Sequence, residues 1–166
     1  MIRAYAGLQQ GQNASQIAAQ IAEALALSSS LSNQVPAALM YLALDREQKA
    51  TDIAADLGGK LNVQQRAYSK LITALVLQAD DKNIVAVEAL QEAVGLADLW
   101  LVRFYLGQAY FAAGHYAEAE SEFTLCKERL GEAYSVFLDD TPTFRYTAEL
   151  DDWLSRARAN MTSLHN

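Results

Sequence analysis

LGQAYFAAGHYAEAESEFTLC, residues Leu106 to Cys126, decides how this chain is built. From Trp100 to Ala113 the apolar residues recur at helical spacing, and Gly107 and Ala109 give that helix a thin side for a neighbouring backbone. Gly114 follows the last helical residue, where a glycine ends a helix by turning left-handed. A second amphipathic helix runs from Tyr116 to Leu130, with Ala119, Phe123, Cys126 and Leu130 on one stripe and Glu118, Glu122, Lys127 and Glu128 mostly off it. Its acidic first half and its Lys127 and Arg129 near the end suit the helix dipole. A turn this short makes the two helices antiparallel. Gly107 and Ala119 are expected to meet across that hairpin.

The same design recurs towards the N-terminus. A step of 33 residues back from Gly107, Ala119, Phe123 and Cys126 lands on Ala74, Ala86, Leu90 and Ala93. A further 36 lands on Ala38, Ala50, Ala54 and Leu57. Tyr41, Leu77 and Tyr110 share a position, and the chain reverses at Asp45, Asp81 and Gly114. Asp45 with Gln48 reads as a capping box for the helix that follows. The pattern predicts three helix pairs, at 31–66, 67–99 and 100–133. Residues 1–30 form an incomplete first pair, Ile2–Gln10 and Ala14–Leu27, turning at Gly11. Ser28-Ser29-Ser30 through Asn33 is a linker, and Pro36 is expected in the first turn of the next helix. Gly58-Gly59 closes a helix, and Leu61-Asn62-Val63 is the loop to the next pair.

Residues 134–166 break the pattern. Glu132–Leu138 reads as one short helix and Asp139-Asp140-Thr141-Pro142-Thr143 as a turn cluster. Phe144 to about Met161 reads as an amphipathic helix carrying Phe144, Leu150, Trp153, Leu154 and Ala157. A stack of helix pairs needs its last apolar edge covered, and this helix is the expected cover. The whole chain is therefore expected to be one all-α domain of antiparallel helix-hairpin repeats, stacked right-handed, with a C-terminal capping helix.

Composition agrees with that class. The 166 residues are 52% apolar with two prolines, Pro36 and Pro142, and β-branched alternation is scarce. No apolar run reaches the roughly 18 residues that a membrane span needs. Gln9, Gln10, Gln12 and Asn13 interrupt the opening apolar segment, so Met1-Ile2-Arg3 does not open a secretory signal. Cys126 is the one cysteine, which suits a reducing, cytoplasmic setting and excludes an internal disulfide. The net charge of −7 falls entirely on residues 67–166. That acidity argues against nucleic acid and favours a partner of basic character.

Nothing in the residues spells a reaction. His115 sits in a turn and His165 near the chain end, neither with a second ligand at metal spacing. Cys126 stands where the other repeats place Ala93 and Leu57, as a small core residue without a paired base. Asp151-Asp152 are neighbours that cannot face each other on a helix, and Asp139-Asp140 read as a cap without calcium-loop spacing. Phosphate-loop, dinucleotide and nucleophile-elbow motifs are missing from the sequence. The chain is expected to be no enzyme and to take no cofactor or metal.

Leu106-Gly107, Tyr110, Ala119 and Phe123 together form the L-G-x2-Y and A-x3-F signature of the tetratricopeptide-repeat (TPR) family, and steps of 33 and 36 bracket that family's 34. The chain resembles that family, with two departures: the family's Trp falls on Arg103 and its closing Pro on Gly131. The resemblance implies a superhelix whose first helices line a concave groove at their second, fifth, ninth and twelfth positions. Those are Ser32, Val35, Leu39 and Leu42; then Tyr68, Leu71, Leu75 and Gln78; then Leu101, Phe104, Gln108 and Phe111. The last eight form the expected partner-binding groove. The Lys/Asn/Arg clamp with which the family grips a terminal carboxylate is absent, since Val35, Leu39, Tyr68 and Leu71 stand there.

RLGEAYSVFLDDTPTFRYTAELDDWLSRA, from Arg129, further resembles the tail that follows such arrays in bacterial multidomain proteins carrying a kinase, cyclase or transcription-regulatory domain. The function implied is a non-catalytic protein- or peptide-binding scaffold within a larger bacterial regulatory protein. Two alternatives stay open: a structural or self-associating element, including a homo-oligomer, and the sensor arm of an attached enzyme. The groove's apolar lining can also be filled by the array's own C-terminal segment.

Overall fold

Helices form where the apolar spacing places them. The computed structural model describes residues 1–134 and 143–163, except the side chains of Ile2, Tyr5, Gln9 and Ser163. The first pair is α1 (Ile2–Gln9) and α2 (Ala14–Leu27), and the second is α3 (Leu31–Ala43) and α4 (Glu47–Gly58). The third is α5 (Val63–Ala79) and α6 (Asn83–Leu96), and the fourth is α7 (Trp100–Ala112) and α8 (Tyr116–Glu128). A short α9 (Leu130–Ala133), a 3₁₀ turn (Phe144–Glu149) and α10 (Leu150–Ser163) follow. No strand occurs among the described residues. Each of α2 to α8 packs on the helix before it, first helices of adjacent pairs also meet (α3 on α5, α5 on α7), and α10 lies on α8.

The four reversals within pairs share one construction. Gly11, Asp45, Asp81 and Gly114 adopt left-handed backbone, with φ of 67°, 55°, 59° and 81°. In each, the next residue's N–H donates to the carbonyl five residues earlier: Gln12 to Gly7, Arg46 to Tyr41, Lys82 to Leu77 and His115 to Tyr110, at 2.8–2.9 Å. The left-handed residue's own N–H donates three residues back, to Leu8, Leu42, Gln78 and Phe111. This is the Schellman arrangement, which satisfies carbonyls that a helix end leaves unpaired. Aspartate tolerates the left-handed region better than most residues because its side chain is short and polar.

The repeat read from the sequence is a repeat of burial. Ala38, Ala50, Ala54 and Leu57, then Ala74, Ala86, Leu90 and Ala93, then Ala119, Phe123 and Cys126, are all at most 5% exposed. Gly107 is buried with them. The space a Gly107 side chain would need is held by the ring of Phe123, whose atoms lie 2.7–2.9 Å from an ideal Cβ position. Phe123 stands one turn beyond Ala119, and its ring requires the notch.

Polar ties cross each of the last three pairs at one equivalent position of the first helix. Gln34 Nε2 donates to Asp56 at 2.9 Å, Lys70 meets Glu92 at 2.6 Å, and Arg103 donates to Glu122 at 2.9 Å. Asp98, between α6 and α7, also receives Arg103 at 2.5 and 2.8 Å and Arg129 at 2.6 Å, and Arg129 reaches on to Glu132. The Arg103 and Arg129 guanidiniums together outweigh partial burial and hold the Asp98 carboxyl down at about 2.

Several local expectations are corrected. Pro36 lies past the first turn of α3, which starts at Leu31 behind Ser30; it is buried, so apolar packing rather than helix initiation accounts for it. The Asp45–Gln48 capping box does not form, because Asp45 is spent on the left-handed turn and Gln48 donates to Asp52 at 2.9 Å. Helix α5 begins at Val63 behind the capping side chain of Asn62, four residues before the expected boundary at Ala67. The short helix is Leu130–Ala133, and residues 135–142, with Asp139, Asp140 and Pro142, lie outside the described residues, as does His165. Phe144 is 59% exposed in the 3₁₀ turn, and Tyr146 is the buried aromatic there.

Gly107→Ala is expected to cost about 1–3 kcal/mol by overpacking Phe123, while Gly95→Ala, whose methyl meets nothing within 4 Å, should not destabilise. Urea denaturation of the two variants checks the contrast. The depressed Asp98 carboxyl contributes stability that is fully present above the ordinary carboxylate range and is lost as pH falls through about 2. Asp98→Asn should therefore flatten the loss of stability between about pH 4 and 2 and cost about 1 kcal/mol at pH 7, a figure reduced for its half-exposed position. Melting temperatures of both proteins across that pH range measure it.

Candidate functional site

The first helices differ in exposure between their N-terminal and C-terminal halves. Of the twelve expected groove positions, those in the N-terminal halves are mostly sealed: Val35, Tyr68, Leu71 and Phe104 are 0% exposed and Leu101 is 1%. Tyr68, Leu71, Leu101 and Phe104 are thus core residues, a correction to the groove read from the sequence. The contacts of α3 with α5 and of α5 with α7 bring first helices against each other. Phe104 is further enclosed by Trp100 at 5.5 Å, Phe123 at 6.0 Å and Tyr146 at 5.4 Å between ring centres.

The C-terminal halves differ. Leu39 and Leu42 on α3, Leu75 and Gln78 on α5, and Gln108 and Phe111 on α7 are all half-buried. They are the ninth and twelfth positions counted from the equivalent residues Leu31, Ala67 and Trp100, so a strip of four apolar side chains and two amides recurs on three successive first helices. Phe111 marks its end. Its ring stands 5.2 Å from Tyr116 and 5.4 Å from Trp153, both edge-on, and the Arg156 guanidinium lies 5.0 Å above it. Trp153 also stacks on Phe123 at 5.8 Å, and Leu150, Leu154 and Ala157 of α10 are buried. The C-terminal helix therefore covers the last pair, as expected, and reaches the end of the strip as well.

Sequence reasoning missed Tyr146 and Arg156. Tyr146 lies within a 3₁₀ turn that has no apolar period to single it out, and its hydroxyl accepts from Tyr105 at 3.3 Å and from Arg145. Arg156 reads as one more charge on a solvated face, yet it lies over both Phe111 and Trp153.

The reactive residue types are held in structural roles. Burial pushes the Cys126 thiol up to about 12, so it stays protonated. Its Sγ lies 3.8 Å from the Trp100 carbonyl, and the Trp100 indole donates to the Cys126 carbonyl at 2.8 Å. His115 precedes α8, half-exposed, with Nδ1 3.9 Å from Glu118. Among the described residues no three His, Cys, Asp or Glu side chains converge as metal ligands, and no helix is long and apolar enough to cross a membrane.

Cys126 should resist Ellman's reagent at pH 8 in the folded protein and react stoichiometrically once unfolded in guanidinium. Rapid reaction in the native state would contradict its burial. No family model matches the chain, and no match was found among curated proteins or solved structures.

Proposed function

We propose that this chain is a non-catalytic, TPR-like scaffold that docks a peptide segment of another protein, as a module of a larger regulatory protein. The observation that carries the reading is the half-buried strip Leu39, Leu42, Leu75, Gln78, Gln108 and Phe111. Side chains at two fixed positions on three successive first helices repeat with the pairs. Such a surface suits an extended or helical peptide that presents apolar side chains at intervals. Gln78 and Gln108 add neutral donors and acceptors suited to a peptide backbone.

The charge distribution narrows the partner. The negative net charge of residues 67–166 favours peptides with basic flanks, while the apolar contact keeps the salt dependence modest. Self-association through the same strip is the competing reading, and sedimentation of the free protein distinguishes it.

Peptides selected from a random library on the immobilised protein should carry spaced apolar residues with Lys or Arg beside them. Leu42→Gln/Leu75→Gln should keep its helical circular dichroism and weaken those peptides at least tenfold in fluorescence anisotropy. Undiminished binding by that variant would move the site elsewhere.

A further inference from the structure

The three junctions between first and second helices are built on one register, and the middle one is unlike its neighbours. Helices α3 and α7 begin at equivalent positions, Leu31 and Trp100, whereas α5 carries one extra N-terminal turn, Val63 to Arg66, before the equivalent Ala67. That turn places Arg66 in a cleft of 420 Å³ between the C-terminal ends of α4 and α6, walled by Gly58, Lys70, Glu92, Gly95 and Leu96. The Arg66 Nε is buried and has no hydrogen-bond partner among the described residues. An added methyl at Gly95 would meet nothing within 4 Å, so the cleft is open above it.

The following junction shows what completes such a seam. There, Arg103 stands at the position of Lys70 and Arg129 at that of Leu96, and one carboxylate, Asp98, receives both guanidiniums. In the preceding pair Asp56 receives both Gln34 and Lys60. The loop ahead of α5 is Gly59-Lys60-Leu61-Asn62 and supplies no carboxylate. Lys70 is already paired with Glu92 at 2.6 Å, which leaves Arg66 as the cleft's cation without a counter-charge among the described residues.

We propose that this cleft is a binding site for a carboxylate, which takes at Arg66 the place that Asp98 takes at Arg103 and Arg129. A single net positive charge with glycine and leucine walls suits a monoanionic carboxylate on a small apolar stem better than a dianionic phosphate, which would meet Glu92. The acidic side chain of a partner and a free small carboxylate share that chemistry. The site lies at the opposite end of α5 from Leu75 and Gln78, so it stands or falls separately from the strip.

The test is an NMR titration of the full chain that follows the arginine Nε–Hε correlations and backbone amides. The probes are butyrate, an acetylated and amidated tripeptide with central glutamate, phosphate, and chloride at matched ionic strength. The expected result is a saturable shift of the Arg66 Hε with the carboxylates, accompanied by the Gly58 and Gly95 amides, with chloride at least tenfold weaker. Saturation by the peptide assigns the site to acidic side chains, and saturation by butyrate alone to small carboxylates. Arg66→Met should abolish the amide shifts while Lys70→Gln retains them. A linear response equal to that of chloride, a preference for phosphate, or amide shifts that survive in Arg66→Met would overturn the proposal.

Discussion

The bond from the residue after each turn to the carbonyl five positions earlier sets everything that packs above it. It recurs in all four pairs and fixes where the second helix leaves the first. With that exit fixed, residues twelve apart in sequence occupy matching buried places: Ala38 with Ala50, Ala74 with Ala86, Gly107 with Ala119. Small side chains there let paired helices approach closely, and the larger Leu57, Leu90 and Phe123 fill the space beyond. Two of the four turns accept the strain of a left-handed aspartate, which indicates how much the pair geometry depends on the turn.

The pair is the constant unit and the junction is the variable one. Turns fall 34, 36 and 33 residues apart, while the twelve-residue spacing inside the last three pairs does not change. The differences are absorbed in the helices and loops between pairs, most visibly in the extra turn of α5. Each of the last three pairs carries its own polar tie, a glutamine on Asp56, a lysine on Glu92 and an arginine on Glu122, while Asp98 between the last two pairs receives Arg103 and Arg129. Such ties on a partly exposed surface have a modest net value. They fix which helices meet more than they stabilise them.

How much of this was legible in the sequence follows from the range of each interaction. Glycine and aspartate at the turns, and small residues twelve apart, are local signals, and the left-handed turns and the buried small positions fall where they put them. The extra turn of α5 was missed because Asn62, its cap, reads equally well as a loop residue. Phe104 was expected in the groove because its position faces the concave side in one isolated pair. It is enclosed by Trp100, by Phe123 of the second helix and by Tyr146, 42 residues away in a 3₁₀ turn that no apolar period singles out. Helical periodicity shows which side of a helix is apolar. It does not show what packs against that side, and the neighbours decide which half of the first-helix face stays open.

That division of the first-helix face is the centre of the account, because both the core and the proposed docking strip depend on it. Carbene footprinting of the native protein, resolved to single residues by mass spectrometry, measures it directly. The account predicts labelling at Leu39, Leu42, Leu75 and Phe111, with protection at Val35, Tyr68, Leu71, Leu101 and Phe104. Labelling of Tyr68 and Phe104 to the same extent as Leu42 and Leu75 would contradict it.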